Sequence, residues 1–184
     1  MKNPKKNKNI LNIGSGFSKE GTHFLDLYPR KKHIIKYNAD IDKIPFDDNY
    51  FDEVISEFMF EHLKDRKLFL NEVYRVLKPN GIFKLKTDNA GFLFYHNSKS
   101  KFKTHYGGYT FDGVRGEDDS HYSLFTFEHI KLFLEENNFE TKVKLYNRDN
   151  FSFPITFILW LLRFTRFKWI TYAQIKAEGV KISK

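Results

Sequence analysis

The first three apolar segments of this chain stand too close together for helices to join them. Asn9–Ile13 reads Asn-Ile-Leu-Asn-Ile, Thr22–Asp26 reads Thr-His-Phe-Leu-Asp, and His33–Asn38 carries Ile34-Ile35-Lys36-Tyr37. Each has the length and side-chain type of a short strand. Only the eight residues Gly14–Gly21 part the first from the second, and only Leu27–Lys32 part the second from the third. A helical crossover between parallel strands takes a dozen or more residues. Eight extended residues nevertheless reach ~26 Å, while a five-residue strand is ~17 Å long. A bare extended return is therefore open to the chain.

Beyond residue 50 the spacing relaxes. Phe51–Ser56 is a fourth strand, entered through Asp47-Asp48-Asn49. Leu63–Lys78 is predicted as a helix with Leu63, Leu70, Val73, Tyr74 and Leu77 on one face, stopping at Lys78-Pro79-Asn80-Gly81. Ile82–Thr87 returns as a fifth strand. Residues 96–122 hold four of the ten Gly and read as a long irregular loop of the functional kind. Thr126 then caps a helix whose inward face is Phe127, Ile130, Phe133 and Leu134. Glu140–Tyr146 is a sixth strand, Ser152 with Pro154 opens a further helix to about Phe167, and Thr171–Ile182 supplies the last strand. Strands alternating with helices make an α/β layered, largely parallel sheet. At 184 residues, 41% apolar and with 21 Phe, the chain fits one domain, 1–184, with a large core.

With no helices after strands one and two, one face of the sheet lacks its usual cover, and a parallel sheet does not leave an apolar face open. Phe151–Ile170 is the expected cover. From Ile155 to Phe164 it is apolar all round, and Arg163, Arg166 and Lys168 follow. Three readings fit it: an internal lid, a homodimer contact, or a membrane-interface element with its cations at headgroup level. It is far short of the ~20 apolar residues that cross a bilayer.

The formal charge of +8 sits at the ends. The basic leader 1–9 holds four Lys and no acid, and 163–184 hold six basic residues against Glu178 alone. The body between is nearly neutral, so a nucleic-acid groove through it is not expected. Zero Cys excludes disulfides and thiolate chemistry, and with no signal-peptide core after the leader a cytoplasmic location is expected. The histidines at 96, 105, 121 and 129 lack metal-ligand spacing, so no metal is expected.

Ligands of such sheets bind at the carboxyl ends of the strands, where strand order reverses. Gly14-Ser15-Gly16 follows strand one and lets backbone N–H groups approach a ligand. Asp26 ends strand two, where a carboxylate can accept from both ribose hydroxyls. Asp40 ends strand three, in reach of a purine amine. Together these describe an adenosine pocket. A nicotinamide dinucleotide would want a third glycine opening a helix that holds its pyrophosphate, but that position is Lys19 and no helix follows. S-Adenosylmethionine (SAM) has no phosphate, and its sulfonium suits a carboxylate-lined pocket.

The order of motifs resembles the small class I SAM-dependent methyltransferases of type 11. The residues that carry the resemblance are Leu11-Asn12-Ile13-Gly14-Ser15-Gly16, Phe24-Leu25-Asp26, Ala39-Asp40 with Ile44-Pro45-Phe46, Phe51-Asp52-Glu53-Val54, Glu61-His62-Leu63 and Arg75 to Gly81. His121 before Thr126 is the last. The resemblance spans about residues 10–140 and is most specific from Ile44 to Gly81. It implies a Rossmann-like, mostly parallel seven-stranded sheet, here trimmed of the helix between strands one and two. It further implies a SAM site in which Gly14 to Gly16 hold the methionine end, Asp26 the ribose and Asp40 the adenine amine. Ile41 would be an apolar wall, Glu57 and Phe58 a floor, and Asn12 and Leu27 belong to the same set. Catalytic candidates are His121, His62 and Asp88, needed as a base only for a hydroxyl or protonated amine acceptor. The acceptor class expected is a small molecule or a glycan or lipid precursor. A SAM-binding module without catalysis and a nicotinamide oxidoreductase are the rival readings.

Overall fold

The computed structural model describes residues 8–91, 123, 125–146, 160–165, 172 and 174–182. Seven strands form one sheet: β1 (Ile10–Ile13), β2 (His23–Asp26), β3 (Ile34–Lys36), β4 (Phe51–Glu57), β5 (Leu77–Asp88), β6 (Phe139–Tyr146) and β7 (Gln174–Lys181). Their order is β3-β2-β1-β4-β5-β7-β6, parallel except for β7, which runs antiparallel to both neighbours. Helices α1 (Arg66–Val76) and α2 (Phe127–Glu136) precede β5 and β6.

The short connections behave as their lengths require. No helix lies between β1 and β2 or between β2 and β3. The 14–21 segment turns once at Gly16-Phe17, returns without a helix and is held by side chains: Asn12 Nδ2 donates to Ser18 Oγ at 3.2 Å and to the Glu20 carbonyl at 2.8 Å, and Thr22 Oγ1 accepts from Ile10 N at 2.8 Å and donates to the Ile10 carbonyl at 3.0 Å. Asn12, one of the cofactor candidates by resemblance, is thus also a buried anchor for the loop.

Both helices lie on one face. The strand residues they cover are in register: Leu11 with Val54, Val54 with Phe83, and Leu85 with Ala177. Helix α1 starts at Asp65, whose side chain accepts from Leu68 N at 2.9 Å. It buries Phe69, Leu70, Val73 and Val76 completely, each contributing about 1.5–3 kcal/mol. Phe69 and Val76 are core residues that the sequence reading omitted. The predicted run to Lys78 is also too long, because Leu77 is already extended and begins β5. Asn80, at φ 62°, absorbs a register shift there, so Pro79-Asn80-Gly81 is an irregularity inside the strand rather than a helix stop. Thr126 caps α2 as predicted, and Ile130 and Leu134 are fully buried.

The opposite face corrects the expectation of an apolar surface awaiting cover. Across β4, β5, β7 and β6 its residues are largely charged. Lys84 pairs with Glu53 at 2.6 Å, Lys86 pairs with Glu57, and Glu178 lies opposite both Lys84 and Lys142. Burial pulls the Lys84 ammonium down, but the Glu53 hydrogen bond and charge outweigh it and hold the group above its usual value. The missing helices are therefore answered by ion pairs and solvated lysine stems. Of Phe151–Ile170, the expected cover, only 160–165 are described, and there Trp160, Leu161 and Phe164 are exposed. The rest lies outside the described residues.

Candidate active site

Strand order reverses between β1, which leads on to β2, and β4, which lies on its other side. The crevice beyond these two carboxyl ends is where such sheets hold ligands. The chain meets there with little room. A Cβ on Gly14 would lie 2.8 Å from Met59 Cγ, and Gly14 itself sits at φ 70°. Gly16, at φ 52°, has nothing within 4 Å of its would-be Cβ. One glycine makes way for protein; the other faces open space.

Asp26 organises this turn. Its Oδ2 accepts from Gly16 N at 2.7 Å and its Oδ1 from Tyr28 N at 2.9 Å, while Gly14 N and Ser15 N both donate to the Leu25 carbonyl. A carboxylate offers about four lone-pair sites, so two remain for a diol. Ser15 is buried beneath the turn, and its hydroxyl has no partner among the described residues. Leu27, next to Asp26, is 38% exposed, and Ile41 is 73% exposed. Two bare apolar side chains after β2 and β3 are what a purine needs for its faces.

Strand β3 ends at Lys36, so Asp40 lies in the following turn and not at the strand end. Its Oδ1 accepts from Lys64 N at 2.7 Å and Asp65 N at 2.9 Å, bracing the start of α1. Its Oδ2 takes no hydrogen bond among the described residues and could accept from a ligand's amine. Glu57 pairs with Lys86 on the charged face. Phe58 holds a left-handed backbone, φ 53°, and its N–H donates to the Lys86 carbonyl at 2.8 Å. An aromatic residue there costs about 1–3 kcal/mol, a strain characteristic of functional turns.

His62 closes a 3-10 turn, Phe60–His62, after β4, and Asp88 is the last residue of β5. Both belong to the carboxyl edge of the sheet. His121 lies outside the described residues. No group of three or more His, Asp or Glu suited to a metal occurs among the described residues.

Sequence reasoning missed two supports. Met59 follows Phe58 with no motif to announce it, and only the glycine it touches hints at it. Arg75 is the second. It donates to the Ile44 and Phe46 carbonyls, to Asp48 Oδ1 at 2.7 Å and to both oxygens of Glu72. It pins the segment after Ile41 onto α1. Burial raises the Glu72 carboxyl, but the Arg75 and Ile44 N–H bonds overcome this and hold it below its usual value. The Arg75 hydrogen bond lowers Asp48 as well.

Residues 17–85 match the family model described as a methyltransferase domain. Among curated proteins, the ubiquinone/menaquinone biosynthesis C-methyltransferase UbiE of Neisseria meningitidis serogroup C is 46% identical over 43 residues, 23% of this chain. That stretch spans only 18% of the relative's length. Among solved structures, a SAM-dependent methyltransferase from Archaeoglobus fulgidus aligns over 95% of this chain and 86% of its own, with TM-score 0.63 and 16% identity. The phosphoethanolamine N-methyltransferase 2 of Haemonchus contortus in complex with SAM aligns over 98% of this chain and 50% of its own, with TM-score 0.59 and 18% identity. The fold is that of the class I SAM-dependent methyltransferases, and residues 17–85 carry the methyltransferase-domain signature.

Proposed function

We propose that this chain transfers a methyl group from SAM to a small-molecule or lipid- or glycan-precursor acceptor. The observation that carries the reading is the turn at Gly14 to Gly16. It is folded against Asp26 at the switch point, with open space at Gly16 and two carboxylate lone-pair sites unspent. The residues fit the cofactor. Asp26 would accept from the ribose hydroxyls, Asp40 Oδ2 from the adenine amine, and Leu27 and Ile41 would cover the ring. The Gly14–Gly16 backbone leaves room for the methionine end.

When bound, SAM supplies a methyl already activated on a sulfonium. What the chain must add is orientation and dryness, which together contribute most of such a rate enhancement. Met59 closes the protein side of the turn, and the Phe58 backbone fixes the end of β4 beside it. His62, in the 3-10 turn after β4, and Asp88, at the end of β5, are the proposed acceptors of a substrate proton, with His121 as the third candidate. The likeness to UbiE, a C-methyltransferase of ubiquinone/menaquinone biosynthesis, supports a small-molecule acceptor. The same reading has the chain act as one domain, 1–184, in the cytoplasm. Among the described residues no helix is long and apolar enough to cross a membrane.

Incubation of the purified chain with methyl-labelled SAM and a small-molecule extract tests the reading. Label is expected in an extractable product. Label in RNA or protein, or no transfer at all, contradicts it.

A further inference from the structure

Among the described residues, large apolar side chains exposed to solvent cluster on one edge. Six of the nine, Phe17, Leu27, Ile41, Trp160, Leu161 and Phe164, lie on connections at the carboxyl end of the parallel strands. The cofactor pocket accounts for Leu27 and Ile41. It does not account for residues 160–165. That turn is ordered by successive i to i+3 hydrogen bonds from Arg163, Phe164 and Thr165. Its two rings meet edge to face at 5.0 Å, yet Trp160 is 49% and Phe164 74% exposed. Ordered, paired and bare aromatics on one turn are a contact surface rather than core.

The place of the turn is fixed. Arg163 lies over the Tyr172 ring at 5.1 Å, and the Tyr172 carbonyl accepts from Asn89 Nδ2 at 2.8 Å. Asn89 is buried and follows Asp88, so the turn stands beside the carboxyl end of β5.

We propose that this turn seats the carboxyl edge of the sheet on an anionic bilayer surface. Trp160, Leu161 and Phe164 enter the headgroup–acyl boundary and Arg163 stays at phosphate level. Charge selects this occupant. The stretch that carries the turn, 151–173, holds Arg163, Arg166 and Lys168 and no acid, so a second copy of the same turn is repelled and an anionic surface attracted. An acceptor embedded in the membrane then reaches the site from that side, a consequence that rests on the methyl-transfer reading. The docking itself does not.

Flotation of the full chain with phosphatidylcholine vesicles, with and without phosphatidylglycerol, tests it. The chain is expected to float with the anionic vesicles and much less with the neutral ones. Trp160→Ser with Phe164→Ser should lower partitioning at least roughly tenfold, and Phe164→Ser alone, at a side chain 74% exposed, should lower it with little change in melting temperature. Arg163→Glu should weaken binding to anionic vesicles more than to neutral ones. A double variant that floats as well as wild type, or a wild type that stays in the lipid-free fraction, overturns the proposal. So does a dimer that the double variant dissolves without any lipid binding. SAM titration of the same proteins without lipid separates the two claims: vesicle binding without SAM binding leaves the docking and removes the methyl-transfer reading.

Discussion

Replacing Gly16 by Ala should weaken the cofactor far more than the fold, and replacing Gly14 by Ala should do the reverse. Gly16 has φ 52° and no atom within 4 Å of the position its Cβ would take. The fold therefore bears only the left-handed strain of an alanine, about 1–2 kcal/mol. For a domain of this size that lowers the melting temperature by about 2–8 °C. The new methyl occupies the space left for the methionine end, so affinity for SAM should fall at least roughly tenfold, or about 1.4 kcal/mol. Gly14 has φ 70°, and its Cβ would sit 2.8 Å from Met59 Cγ and 2.9 Å from Met59 Cβ. Alanine there adds about 1–3 kcal/mol of overpacking to the same backbone strain. Thermal melts and calorimetric titration of SAM on the two variants measure both quantities. A Gly16→Ala protein that binds SAM within twofold of wild type, or that melts below Gly14→Ala, refutes the assignment of open and filled sides.

Asp26→Asn keeps one acceptor oxygen for the turn but loses the charge, and charged hydrogen bonds contribute about 1.5–3 kcal/mol. SAM affinity measured by calorimetry should fall about 10–100-fold, and the melting temperature should drop by about 2–8 °C because the amide NH2 cannot accept from one of the Gly16 and Tyr28 N–H groups. Arg75→Met leaves Glu72 half-buried and the 44–48 segment unpinned, and should lower denaturant stability by about 1–3 kcal/mol, less than full burial would cost. Glu72 and Asp48 are held below their ordinary values of 4.5 and 3.8. Their contribution is complete above those values and disappears as pH falls through and below them, so the stability gap between wild type and Arg75→Met should narrow from pH 5 to pH 3. A constant gap contradicts the ion-pair account. Lys84→Met strands Glu53, which is 5% exposed, at about 1–3 kcal/mol, and Glu53→Val added to it should recover much of the loss in the same melts. Loss without recovery would mean that the charged face does more than replace apolar cover.

The architecture was legible because its signals are local. Short β-type runs, the glycine turn after Ile13 and the aspartate at the end of β2 all stand in the sequence where the structure has them. The eight residues of Gly14–Gly21 announced the missing helix by length alone. What was not legible depends on register. Lys84 and Glu53, or Glu178 and Lys142, are far apart in sequence and become neighbours only when strands pair, so the polarity of the open face was read wrongly. Asp40 was misplaced because strand β3 ends early and the turn after it leans on α1. Arg75 lay within the recognised stretch Arg75 to Gly81, but three of its five hydrogen bonds reach back across a loop that no periodicity describes.

Isothermal titration of the purified chain with SAM, S-adenosylhomocysteine and NAD bears most directly on the proposed adenosine pocket beyond β1, β2 and β3. Saturable one-site binding of the two sulfur nucleosides, weakened in Asp26→Asn, with no heat from NAD, is the predicted result. Heat from NAD alone, or sulfur-nucleoside binding that Asp26→Asn leaves untouched, would contradict it.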